Sequence, residues 1–159
     1  MDNMKKIITL IALCMSVVGC DSTPQASPEQ LSIQAVYSTD SKITSGSKTA
    51  SEVVSKLQSV RLVGCPAPFV DSYNDYIRAW EKMVVLEKKM YTQNMKKASS
   101  DLASYISDYR SVESVVALKK EWPAFASEID SVTAGITKAY TYFITVGARY
   151  NAVYPTSLF

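Results

Sequence analysis

Histidine is absent from the 159 residues of this chain, and that omission removes several kinds of chemistry. Without imidazole there is no commonplace general base, no Ser-His or Cys-His nucleophile pair, and no Glu-x-x-His ligand set of the kind helical bundles use for metals. Histidine-ligated haem is excluded with it. Cysteine is scarce: the three residues are Cys14, Cys20 and Cys65, with no CxxC or CxxCH spacing. The five glycines form no phosphate-cradling loop, and net charge is only +2. Lysines are scattered among acids, so the concentrated basic footprint of a nucleic-acid binder is missing. No apolar run reaches the roughly 20 residues that a membrane-spanning helix needs. No carboxylate spacing sets a pair across a glycan cleft, and Cys65 has neither a base nor a second thiol to activate it. The chain reads as no enzyme, with no catalytic residue, no metal site and no dissociable cofactor.

What is present first is a zoned N-terminus. Lys5 and Lys6 give a positive start, Ile7 to Val18 form an apolar run broken only by Thr9 and Ser16, and Gly19-Cys20 closes it. A basic start, a short apolar stretch and a small-residue ending make a secretory signal over residues 1–19.

The last four residues, Val17-Val18-Gly19-Cys20, resemble the lipobox of bacterial lipoproteins. The resemblance implies a diacylglycerol on the Cys20 thiol, cleavage just before it, and a fatty acid on the new amine. Two or more acyl chains anchor a protein stably, where one binds only marginally. Asp21 resembles the signal that retains such proteins in the inner membrane facing the periplasm, with the outer membrane as the alternative. Cys14 is then discarded and only Cys65 remains in the body. In "LVGCPAPF" Cys65 reads as a buried small hydrophobe, its alternative being an intermolecular disulfide.

Residues 20–50 are rich in Ser, Thr, Pro and Gln. Such a stretch buries too little apolar surface to offset its ordering entropy. It is expected to be a flexible tether with a reach of roughly 30 Å; the alternative is that its "LSIQAVY", residues 31–37, pairs as a short strand or docks on the body.

From residue 51 to 155 the pattern is helical. Val53, Leu57 and Val60 share a face, ended by Gly64 and Pro66. Phe69, Tyr73, Tyr76, Trp80, Met83, Glu87, Met90 and Asn94 then step by four and three, with Pro68 opening the helix and Lys96 and Lys97 closing it. A third region begins near Ser100 with Leu102, Tyr105, Ile106 and Tyr109. Its stripe shifts to Val115, Leu118 and Trp122, which requires a break near 111–114. After Pro123, a seam of Phe125, Ile129, Val132, Ile136, Ala139, Phe143, Val146, Tyr150 and Val153 runs to Pro155. Gly135 and Gly147 in this last helix predict close approach of another helix. The expected fold is all-α: an antiparallel bundle of about four helices behind the tether.

Glu87 is the one acid on an apolar face. It must be paired, hydrogen-bonded or protonated if buried. It either anchors a cationic or hydroxylated ligand inside the bundle or meets Arg110, Lys138, Arg149 or a tyrosine hydroxyl. Glu113, at the suspected break, is expected to be exposed. All ten tyrosines follow Cys20. A ring with a polar tip suits a wet interface as well as the rim of a thin core. Tyr73, Tyr76, Trp80, Glu87 and Tyr91 are therefore the candidate binding face.

These features predict a non-catalytic, lipid-anchored helical module that binds another protein at a bacterial envelope membrane. The alternatives are a protective lipoprotein, meaning an immunity, exclusion or inhibitor protein against an incoming toxin or enzyme, and a small-ligand carrier centred on Glu87.

Overall fold

Ser27-Pro28-Glu29-Gln30 is where helix begins. The Ser27 hydroxyl accepts the Gln30 N–H at 3.1 Å, and Pro28, whose missing N–H costs nothing at a first turn, opens α1 (Pro28–Asp40). The computed structural model describes residues 25–155, so the expected signal peptide, Cys20 and Asp21 lie outside the described residues. Within them α1 corrects the expected tether. Residues 28–40 are helical and bury Ile33, Val36 and Tyr37 completely against the rest of the body. Its composition is polar, but three well-spaced apolar side chains are enough to hold it.

Four further helices follow, and no strand occurs among the described residues. Thr49 caps α2 (Ala50–Gln58) through the Glu52 N–H. α3 (Ala67–Ser107) is interrupted at Asn94, where φ −157° and ψ 93° leave the helical region. The Asn94 side chain accepts the Lys97 N–H at 3.0 Å and so caps a new helical arm. Tyr76 and Tyr109, 33 positions apart, touch hydroxyl to hydroxyl at 3.0 Å; a straight helix would separate them by about 50 Å. The chain therefore doubles back at Asn94, close to the boundary between Lys97 and Ser100 expected from the sequence.

The second expected break also appears. Ser111 caps α4 (Val112–Glu121), and Glu113 there is exposed and bonded to the Ser111 hydroxyl. A 3-10 turn at Pro123–Phe125 leads into α5 (Ala126–Ala148). α5 stops short of the expected Pro155, because Asn151 takes a left-handed φ of 59° and the chain turns away. Val153, expected in its seam, is 71% exposed.

α3 packs along α5 and α2, and α4 lies against both α3 and α5. At the centre, the rings of Tyr37, Phe69, Tyr73, Tyr76 and Phe143 meet at centroid distances between 5.1 and 6.4 Å. Gly147 lets α1 approach this closely: a Cβ there would sit 1.9 Å from the Tyr37 hydroxyl. Gly135, expected to serve the same purpose, has nothing within 4 Å of where its Cβ would be. It faces open space.

Candidate functional site

The candidate binding face is in the core. Tyr73, Tyr76, Trp80 and Glu87 are each at most 2% exposed, and only Tyr91 is half-buried. The stripe is apolar because α1, α2, the returning arm of α3 and α5 cover it, so it offers no free surface to a partner.

Glu87 lies at the start of α2. Its Oε1 accepts the Ala50 N–H at 3.2 Å and its Oε2 the Ser51 N–H at 3.3 Å; the Ser51 and Tyr91 hydroxyls complete the set at 3.3 and 3.1 Å. The first N–H groups of a helix have no partner within it and carry partial positive charge, so a carboxylate there is both hydrogen-bonded and electrostatically favoured. A tyrosine hydroxyl is among its partners as anticipated, while none of the three cations is. With both oxygens taken, Glu87 acts as a cap for α2.

A second buried carboxylate went unnoticed in the sequence. Asp40, at the end of α1, is 4% exposed. The Tyr73 hydroxyl donates to its Oδ1 at 3.1 Å and the Tyr154 hydroxyl to its Oδ2 at 2.7 Å. Three segments far apart in the chain thus meet on one side chain. Burial pushes the Asp40 carboxyl up to about 6, opposed in part by the two hydroxyls and by the nearby Arg110 charge. Arg110 itself donates to the Tyr140 hydroxyl at 3.0 Å and lies over the Tyr109 and Tyr140 rings.

The raised value makes a pH prediction. The folded state holds the Asp40 proton more tightly than the unfolded chain does. The stabilisation is complete below the ordinary aspartate pKa and disappears as pH climbs to about 6. Glu52 and Glu113, held below the usual carboxylate range by hydrogen bonds to Lys56 and Ser111, act oppositely and lose their contribution as pH falls. Comparing the parent with Asp40→Asn isolates one group. From about pH 4 to 7 the parent is expected to lose roughly 3 kcal/mol relative to the variant, measured by urea denaturation. Parallel curves would mean that Asp40 ionises freely in the folded protein.

What the surface offers instead is the outer side of α5. A groove of about 410 Å³ runs between α5 and the first arm of α3, lined by Ala79, Lys82, Gly135, Lys138, Ala139 and Tyr142. A wider one of about 600 Å³ lies on the other side of α5, against Arg110, Val112 and Val115. Lys138 borders both. Between them α5 stands as a ridge, with Tyr142 49% exposed on one flank and Val112 71% exposed across the other groove. Exposed aromatic and aliphatic groups beside lysine and arginine form a surface that a helix or loop of another protein can cover. Nothing in the sequence ordered the outer side of α5 above the other faces.

Cys65 is half-buried and unpaired, and burial raises its thiol pKa. Thiolate, the reactive form, is correspondingly scarce. Among the described residues no group of three His, Cys, Asp or Glu could hold a metal ion, and no helix is long and apolar enough to cross a membrane. No protein-family model, curated protein or solved structure matches the chain.

Proposed function

We propose that this protein is a non-catalytic, lipid-anchored interaction module of a bacterial cell envelope. Its body would be an antiparallel bundle in which α1 joins the roughly four helices expected from the sequence. Diacylglycerol and fatty acid on Cys20 would hold it, and Asp21 would keep it in the inner membrane facing the periplasm. The observation that carries this reading is the N-terminal series of Lys5-Lys6, the apolar run to Val18 and the Val17–Cys20 ending. The ridge of α5 with its two grooves supports it by supplying a partner surface that the buried aromatic stripe cannot.

In-cell photocrosslinking separates the two faces. A photoreactive residue at Tyr142 is expected to give a discrete protein adduct, while one at the buried Tyr73 gives none. A Tyr142 adduct that forms only when a competing toxin or enzyme is present would make the partner an incoming protein, and the role protective. Failure of this whole surface, tested also at Lys138 on α5 and at Val112 on the facing end of α4, to capture any protein would contradict the reading.

A further inference from the structure

The leash is much shorter than composition suggests, and this decides which face of the body meets the membrane. Helix begins at Pro28, so only Asp21 to Ala26 separate Cys20 from the Ser27 cap, a reach of about 25 Å even at full extension. α5 alone, at 23 residues, is about 35 Å long. The body cannot turn end over end on such a leash. Whatever surrounds the start of α1 stays within about 25 Å of the lipid.

Those surroundings are specific. Ile33, Val36 and Tyr37 point α1 into the core. On one flank, Gly64 packs against the Ser32 side chain, the site its missing Cβ would occupy lying 2.6 Å from the hydroxyl oxygen. On the other, the Gln34 amide donates to the Val153 carbonyl at 2.7 Å and accepts its N–H at 3.1 Å, and Gln30 donates to the Asn151 carbonyl at 2.9 Å. With both flanks occupied, the helical repeat leaves Pro28, Leu31 and Ala35 on the outer side, all exposed. Leu31 is 58% exposed, and the neighbours flanking it, Val63 and Val153, are 79% and 71% exposed. Arg61 and Arg149, which precede Val63 and Asn151 by two residues, are exposed and in no ion pair among the described residues. Glu29 is the one exposed acid of α1.

We propose that the outer face of α1, with Leu31 at its centre and Val63 and Val153 at its edges, rests on the anionic phospholipid surface that holds the anchor. The apolar side chains enter the headgroup boundary, and Arg61 and Arg149 face the phosphates. This deepens the lipoprotein reading and rests on acylation of Cys20.

The test uses the full-length, processed protein, with a photoreactive residue at Leu31 or at Tyr142. It is irradiated in native membranes and after reconstitution into vesicles of phosphatidylethanolamine and phosphatidylglycerol. The expected result is a phospholipid adduct at Leu31 in both settings, at several-fold higher yield than at Tyr142. A membrane-bound chain whose Leu31 yields no more lipid adduct than Tyr142 would overturn the proposed face while leaving the anchor intact. A protein adduct at Leu31 in native membranes, without the lipid adduct in vesicles, would overturn it in favour of a protein occupant. A chain that washes off both membranes would instead remove the acylation on which the proposal stands.

Discussion

Trp80→Ala is expected to cost about 3–5 kcal/mol of stability, the range for emptying a buried tryptophan site. Trp80 is fully buried where the first arm of α3 faces the returning one, and its ring lies 5.1 Å from that of Tyr109 at 66°. Truncation therefore opens a void between two arms that only side-chain packing holds together, since the backbone connection at Asn94 is not helical. Trp80→Phe should cost far less. It keeps most of the apolar volume and removes an indole N–H that is buried without a partner. Urea denaturation of the three proteins checks both statements. A loss below about 1 kcal/mol for the alanine variant would place the ring at an adaptable surface rather than in the core.

Glu87→Leu carries the second large effect, a loss of about 3 kcal/mol. The Ala50 and Ser51 N–H groups and the Tyr91 hydroxyl lose their acceptor, and unpaired buried donors cost about 1–3 kcal/mol each where water cannot replace the lost partner. The favourable charge at the start of α2 disappears too. Glu87→Gln, which keeps an acceptor in place, should lose about a third as much. Thermal melts and hydrogen exchange across α2 test this, with exchange expected to rise there first. The opposite outcome is informative. A residue kept for ligand binding is poorly satisfied in the empty protein, so its replacement by leucine would leave stability unchanged or raise it. That result would contradict the capping role and restore a ligand.

Most of the helical order was legible because burial imposes a period on the residues it selects. Val53 and Leu57, the long series from Phe69 to Met90, and Ile129, Ile136 and Phe143 were all spaced as one-sided helices, and all are buried. Ser111 and Pro123 punctuated where expected. α1 was obscured by composition: its serines, threonine and glutamines suggest a linker, and only three apolar residues betray the inner face. The start signal was nevertheless there, in Ser27 three positions before Gln30 with Pro28 between them.

The aromatic stripe was found, and its role was left open between core and binding face. Rings with polar tips suit a wet interface and a core equally, and Tyr73 and Tyr76 settle inside because the Tyr73 hydroxyl donates to Asp40 and the Tyr76 hydroxyl pairs with that of Tyr109. Glu87 stood out as an acid among apolar neighbours. A tyrosine hydroxyl was foreseen among its partners, but the Ala50 and Ser51 N–H groups were not, because nothing local ties the head of α2 to position 87. Asp40 left no trace at all, because the positions it joins, Tyr73 and Tyr154, are 33 and 114 residues away. Contacts over such separations are set by topology, which a local pattern does not encode.

The most direct test is the mass of the first residue in protein extracted from membranes with detergent. An N-terminal peptide beginning at Cys20, heavier by a thioether-linked diacylglycerol and an amide-linked fatty acid, is the predicted result. A chain starting elsewhere, or a Cys20 bearing no lipid, would contradict the account.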